Sequence, residues 1–306
     1  MGPDWFRCDR KPRLGGVFLC LLIADNAEMT TDILPLTQTV SRRATAAMMA
    51  AMALAGMVGL VAWGPVDLVP HMHVFADTGA WLGVPNGVAV LTHLPLVPLG
   101  IWGLWRVWRL PAGEPLRWIW GWFFVCQMLA TLGGMWYHTE PGDTAFIWDQ
   151  LPKSAACSLF AFAFLAERIH PRFGSAAAIG VALGGTLLGG IWWLYTLHVG
   201  RSGDLRPLLW LEMLPVLLVA TGAWTLSGYL LSRQDWLRSQ ISFVVAQSVD
   251  WLDQPVHIWT GGIVGGHSLR HVALAACVGW VAFRLGQELT RVTHEVPPEP
   301  HRGSHK

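Results

Sequence analysis

The 306-residue chain is 53% hydrophobic and 13% charged, carries 19 tryptophans and has a net charge of +1. Soluble domains carry about 25% charge, so roughly half that value excludes an ordinary soluble protein and points to a chain embedded in lipid. The near-zero net charge leaves no basic footprint for nucleic acid, and the five cysteines (Cys8, Cys20, Cys126, Cys157, Cys277) show no paired spacing and read as small apolar residues.

In chain order, residues 1–43 read as a cytoplasmic extension without a fold of its own. Arg10, Lys11 and Arg13 before LGGVFLCLLIA resemble a signal peptide but lack a small-residue cleavage pattern, and Met29 is an alternative start. Eight apolar stretches follow, near 44–64, 87–109, 117–138, 146–166, 175–196, 206–231, 236–251 and 262–286. Most approach the roughly 20 residues a bilayer core requires. The seventh is the weakest, interrupted by Gln247, Ser248 and Asp250. Their continuous apolarity without alternation predicts helices rather than a barrel. In the fifth, Gly180, Gly184, Gly185, Gly189 and Gly190 predict close helix packing. Residues 287–306 read as a Pro-rich polar cytoplasmic tail.

Arg42 and Arg43 precede the first span, and the later connections alternate. One side receives Arg106, Arg109, Arg117, Arg168, Arg172, Arg233, Arg238, Arg284, Arg291, Arg302 and Lys306, the other only Arg201 and Arg206 in its connections. The excess predicts that both termini face the cytoplasm.

Against that frame four ionisable residues stand out. His138 closes one apolar stretch (TLGGMWYH), Asp149 lies at the head of the next (FIWDQLP), and His267 and His271 open the last (GGHSLRH). All four fall at the non-cytoplasmic ends of their spans. Intramembrane ionisable groups are costly and mark functional sites by default, and an i, i+4 pair presents both imidazoles on one helical face. Three neutral imidazoles leave a fourth tetrahedral position open, as in catalytic zinc sites. A carboxylate beside them can take a proton from water and return it to a leaving amine. Such a site at the ends of lipid-embedded helices suits a membrane lipid with an acyl chain in the bilayer and a polar headgroup in water. Asp149 also reads as a helix N-cap.

Several segments together carry a resemblance. FADTGAWLGVPNGVAVLTHLP (75–95), GGMWYHTEPGDTAFIWDQLP (133–152), GDLRPLLWLEMLP (203–215) and TGGIVGGHSLRHVALA (260–275) resemble the bacterial branch of the alkaline ceramidase group, within the CREST superfamily of seven-helix membrane hydrolases. The resemblance covers about 75–286 and implies an all-α seven-helix core at 87–286 with one extra helix at 44–64 in front. It implies Zn2+ held by His138, His267 and His271, with Asp149 on the water-bearing face, and hydrolysis of the amide of a ceramide-like or N-acyl lipid by a multi-pass inner-membrane protein. The superfamily also contains receptors, so a receptor-like protein with a structural zinc site is the alternative. A b-type haem protein is a further rival. The family's serine four residues before the first histidine is replaced by Gly134, with Ser154 and Thr131 as substitutes for its hydroxyl. A serine at 134 would either restore that hydroxyl or intrude on space that another substrate needs.

The remaining polar residues receive plainer readings. Glu212 is a second acid or packing glue. Lys153 and Arg270 lie near the outer boundary, where they either meet a lipid headgroup or, the preferred reading, snorkel to the surface, and His71 and His73 are solvated. His93, His198 and His257 have no spacing partner, and the tryptophans mark interfaces.

Overall fold

The computed structural model describes residues 35–67, 73–200 and 202–295. The expected extension up to residue 34, His71, Arg201 and the tail beyond 295 lie outside the described residues. The larger packing unit runs from Thr45 to Lys306 and contains every candidate site residue.

Among the described residues the chain is all-helical: α1 Pro35–Trp63, α2 Gly87–Thr92, α3 Leu96–Trp108, α4 Arg117–Thr139, α5 Asp143–Arg168, α6 Ala176–Tyr195, α7 Arg206–Gly222, α8 Arg233–Trp251, α9 Asp253–Trp259 and α10 Gly266–Glu295. Five segments are long and apolar enough to cross a membrane: Arg42–Trp63, Gly87–Trp108, Arg117–Thr139, Ala176–Gly200 and Gly266–Gln287. The sequence reading of eight spans therefore narrows to these five by length and composition. The stretches covered by α5, α7 and α8 fall short for physical reasons. Asp143, Asp149, Lys153, Glu167 and Arg168 charge α5, α7 is only 17 residues long, and α8 has an almost neutral mean hydropathy.

Three boundaries differ from the sequence reading. The stretch expected at 87–109 breaks between Thr92 and Leu96, where Pro95 has no backbone N–H and disfavours helix in the residue before it. The stretch expected at 206–231 stops as a helix at Gly222, and its remainder is pinned by an ion pair at the end of α5. Glu167 Oε1 accepts from the Leu230 and Leu231 amides at 3.0 and 2.9 Å, while Arg168 donates to the Leu226 and Leu231 carbonyls. The first helix starts at Pro35, ahead of the boundary expected at 44.

Large apolar side chains lie on the outside, as lipid rather than water would favour: Leu54, Val61, Val181, Leu188 and Ile191 are all more than half exposed. The glycines of α6 divide accordingly. A side chain at Gly189 or Gly190 would meet Leu208 or Leu151, whereas Gly180, Gly184 and Gly185 face open space. Only the first pair serves the packing that small residues permit. Inside, Trp120, Phe123, Phe160, Phe164 and Trp236 form an aromatic core, with Trp236 and Trp120 fully buried.

The bundle has two chemically distinct ends. Arg106 and Arg109 stack on Trp105, Arg117 on Trp108, Arg233 on Trp224 and Arg238 on Trp280. Arginine over tryptophan suits an interface, where one group is wet and the other apolar. These pairs sit at the C-terminal end of α3 and the N-terminal ends of α4 and α8. The candidate site lies at the other ends of these helices.

Candidate metal centre

Three parts of the fold deliver four histidines to one place. His138 lies in the last turn of α4, His267 and His271 in the first turns of α10, and His93 at the break between α2 and α3. Three of them, His93, His138 and His271, are buried at 4%, 1% and 4% exposure, and their ligand nitrogens lie within 4.8 Å of one another, close enough to bind a metal ion. His267 joins through His138, with the two Nε2 atoms 3.2 Å apart. A tetrahedral zinc with Zn–N near 2.0–2.1 Å would hold two of its nitrogens about 3.3 Å apart.

The far side of each ring decides which nitrogen is offered. His93 Nδ1 lies 2.9 Å from the Ala89 carbonyl and His267 Nδ1 lies 2.6 Å from Asp250 Oδ1. His271 Nδ1 lies 3.0 Å from Thr92 Oγ1, whose own proton goes to the Ala89 carbonyl at 3.0 Å. Each Nδ1 is thereby the protonated, donating nitrogen, and each Nε2 keeps a lone pair for the site. Outer hydrogen bonds of this kind orient histidines that bind metals. Arg270 Nη1 donates to Asp250 Oδ2 at 2.8 Å and so braces the carboxylate that orients His267. His138 is the exception, for its Nδ1 is buried without a hydrogen-bond partner among the described residues. The donor set fits a divalent ion of borderline softness, with uncharged imidazoles converging in a buried position.

Backbone proximity makes this geometry possible. A Cβ on Gly133 would overlap the Trp148 carbonyl, so α4 and α5 touch backbone to backbone where His138 and Asp149 must meet. A Cβ on Gly266 would overlap the Val249 carbonyl, letting α10 begin directly against the end of α8. Its first turn is fastened by carboxylates: Asp253 Oδ1 accepts from the His267 amide at 2.9 Å, and Asp77 Oδ2 accepts from the Gly265 amide at 2.9 Å and from Ser268 Oγ at 2.5 Å. Phe75 covers the cluster, its ring centroid 4.6 Å from His138 and 4.7 Å from His267. His73, expected to be solvated, is held between Tyr137 Oη at 2.9 Å and Asp143 Oδ1 at 3.0 Å and fastens this covering segment.

Asp149 stands on the α4–α5 side of the same cavity as the histidines. The N-cap alternative for it fails, because α5 begins at Asp143 with Gly142 as its cap and Asp149 lies in the second turn. Glu212 is 2% exposed and accepts from Gln150 Nε2 at 2.6 Å and Ser154 Oγ at 2.8 Å, which commits both Glu212 and Ser154 to helix packing. Thr131 lines the cavity while donating to the Gln127 carbonyl at 2.8 Å.

His93 is the residue that sequence spacing missed. Its partners lie on other helices, so no local period could reveal it. The available signal was the rule applied to the other three, an ionisable group inside an apolar stretch. Its position also accounts for Gly134. A Cβ there would overlap His93 Nε2 and lie 2.9 Å from Asp149 Oδ1, so His93 fills the space a serine would need. Gly134→Ser should therefore displace His93 and lower any activity, and lower metal content as well if His93 is a ligand, rather than supply a missing hydroxyl. The two sites are in contact and should couple, so adding His93→Ala to Gly134→Ser should recover part of the loss where His93 is not itself a ligand. Parental activity together with parental metal content in Gly134→Ser, the latter measured by elemental analysis, would show that the overlap is relieved without cost.

Compared with known proteins, the chain matches no family model, no curated protein and no solved structure.

Proposed function

We propose that the protein is a zinc-dependent membrane amidohydrolase that cleaves the amide of a lipid bearing an acyl chain, of the ceramide-like or N-acyl class. The observation that carries this reading is the inward convergence of histidine Nε2 atoms whose Nδ1 atoms are tied outward to Ala89, Thr92 and Asp250. His138, His267 and His271 are the proposed ligands, with His93 completing or replacing one of them. Zinc bound there would supply Lewis acidity, polarising a carbonyl and lowering the pKa of water to about 7. The protein's own groups do the rest. Asp149 receives the proton of the attacking water and passes it to the departing amine. Phe75 keeps bulk water from the histidines, and the Gly133 contact holds Asp149 against α4.

The same reading places a seven-helix core of the CREST type at 87–286, preceded by the extra helix, in a bacterial inner membrane. The Arg–Trp pairs at the end opposite the histidines support a cytoplasmic location for that end and an outward-facing site. The 3.2 Å separation of His138 and His267 Nε2 leaves no room for a porphyrin between them and argues against a haem. One observation favours a second reading. If His93, His138, His267 and His271 all bind, the shell is closed, as in a structural zinc site, and the protein is receptor-like.

The decisive experiment is a panel of acyl amides and esters presented in mixed micelles to purified protein, with and without a chelator. Turnover that disappears on chelation and returns with added zinc is expected. A zinc-loaded protein that turns over no acyl amide or ester would reject the hydrolase in favour of the closed, receptor-like site.

A further inference from the structure

Two basic residues expected to snorkel to the surface are instead held inside. Arg270 is 8% exposed and the Lys153 side chain 14%, and both line the cavity that contains His93, Asp149, His267 and His271. Hydrogen bonds do not account for them. Lys153 Nζ lies 4.0 Å from Asp149 Oδ2 and 3.8 Å from Glu212 Oε1, within ion-pair range but beyond hydrogen-bond reach of either carboxylate. Arg270 spends Nη1 on Asp250, while its buried Nε has no acceptor among the described residues. Buried donors are nearly always satisfied in a working protein. A polar group entering the cavity would supply acceptors to both residues.

The surroundings say what kind of molecule that is. A second, mostly apolar cavity, lined by Phe123, Phe160, Phe243, Leu274 and Cys277, shares Lys153, Gln127 and Leu274 with the first. A chain-like apolar group can lie in the second cavity while its polar end reaches the donors and the histidines. One guanidinium edge and one ammonium match the two oxygens of a carboxylate.

We propose that Lys153 and Arg270 select an acyl amphiphile carrying a carboxylate beside its amide, the chemical class of an N-acyl amino acid. The inference rests on reading the histidine cluster as an amidase centre. Within it Lys153 is the cleaner specificity residue, because Arg270 also braces Asp250. A neutral-headgroup amide would leave these donors unpaired, and sites built to pair a polar group reject analogues that lack it.

N-dodecanoylglycine and N-dodecanoylglycinamide differ by one charge and share chain and scissile bond. In mixed micelles with zinc-loaded protein, kcat/KM should favour the acid by about tenfold or more, the scale of one charge-assisted hydrogen bond. Lys153→Met should erase most of that ratio with zinc content unchanged, and Lys153→Arg should keep it. Binding of both compounds to the zinc-loaded protein, read as displacement of a fluorescent fatty-acid probe, should show the same preference without turnover. Equal cleavage of the two compounds would overturn the selection and leave the hydrolase standing. Tighter binding of the acid with no cleavage of either would sustain the selection and sink the hydrolase. A ratio unchanged in Lys153→Met, with both rates lowered alike, would assign Lys153 to the reacting carbonyl and overturn the proposal.

Discussion

Purified His271→Ala protein should contain almost no zinc. His271 belongs to the buried group it forms with His93 and His138, and its Nδ1 is held by Thr92, which leaves Nε2 for the ion. Changing the outer partners of metal ligands already costs about 10–100-fold in affinity, and loss of a ligand should exceed that. Because the residue is buried, helix content by circular dichroism and the elution profile must be compared with the parent protein, so that metal loss is separated from unfolding. The companions of this variant carry more information. If the ion is held by His138, His267 and His271, then His267→Ala should lose zinc as fully as His271→Ala, and His93→Ala should retain most of it. If His93 is a ligand and His267 an outer residue, the order reverses. Equal loss in all four single variants would establish the closed four-histidine shell and favour the receptor-like protein. Undiminished zinc in His271→Ala would remove His271 from the ligand set.

Asp149→Asn should keep its zinc and lose roughly 10²–10⁴ in turnover, the range a positioned general base contributes. The substitution preserves shape while removing the negative charge and the ability to hold a proton. The carboxylate sits beside the Gly134 position and within 4.0 Å of Lys153, whereas the buried metal cluster comprises His93, His138 and His271. A structural part for Asp149 as a helix cap is already excluded by the start of α5 at Asp143. No cap is lost with the rate, so any fall in thermal stability should come only from the weakened pairing with Lys153. A parental rate in Asp149→Asn with zinc intact would reject the proton-transfer role.

Much of this site was legible before any coordinates. Composition alone indicated a helical membrane chain, because lipid demands apolar segments whose backbone groups are satisfied within the segment. The i, i+4 pair His267 and His271 lies on one helix, where spacing dictates a shared face. The ends of the apolar stretches placed His138 and Asp149 at a common depth with them. These are local or one-dimensional properties, and a sequence states them directly. What the tertiary structure decided is whatever depends on helices meeting. His93 joins the cluster from another segment. Gly134 is explained by the ring that crosses its space. Asp250, which looked only like an interruption of a weak apolar stretch, orients His267 and anchors Arg270. Lys153 and Arg270 looked like residues that reach for the surface, and the bundle closes around them instead. Helical periodicity reports which face a residue occupies, while packing between helices decides whether that face meets lipid, water or the interior, and no local pattern carries that information.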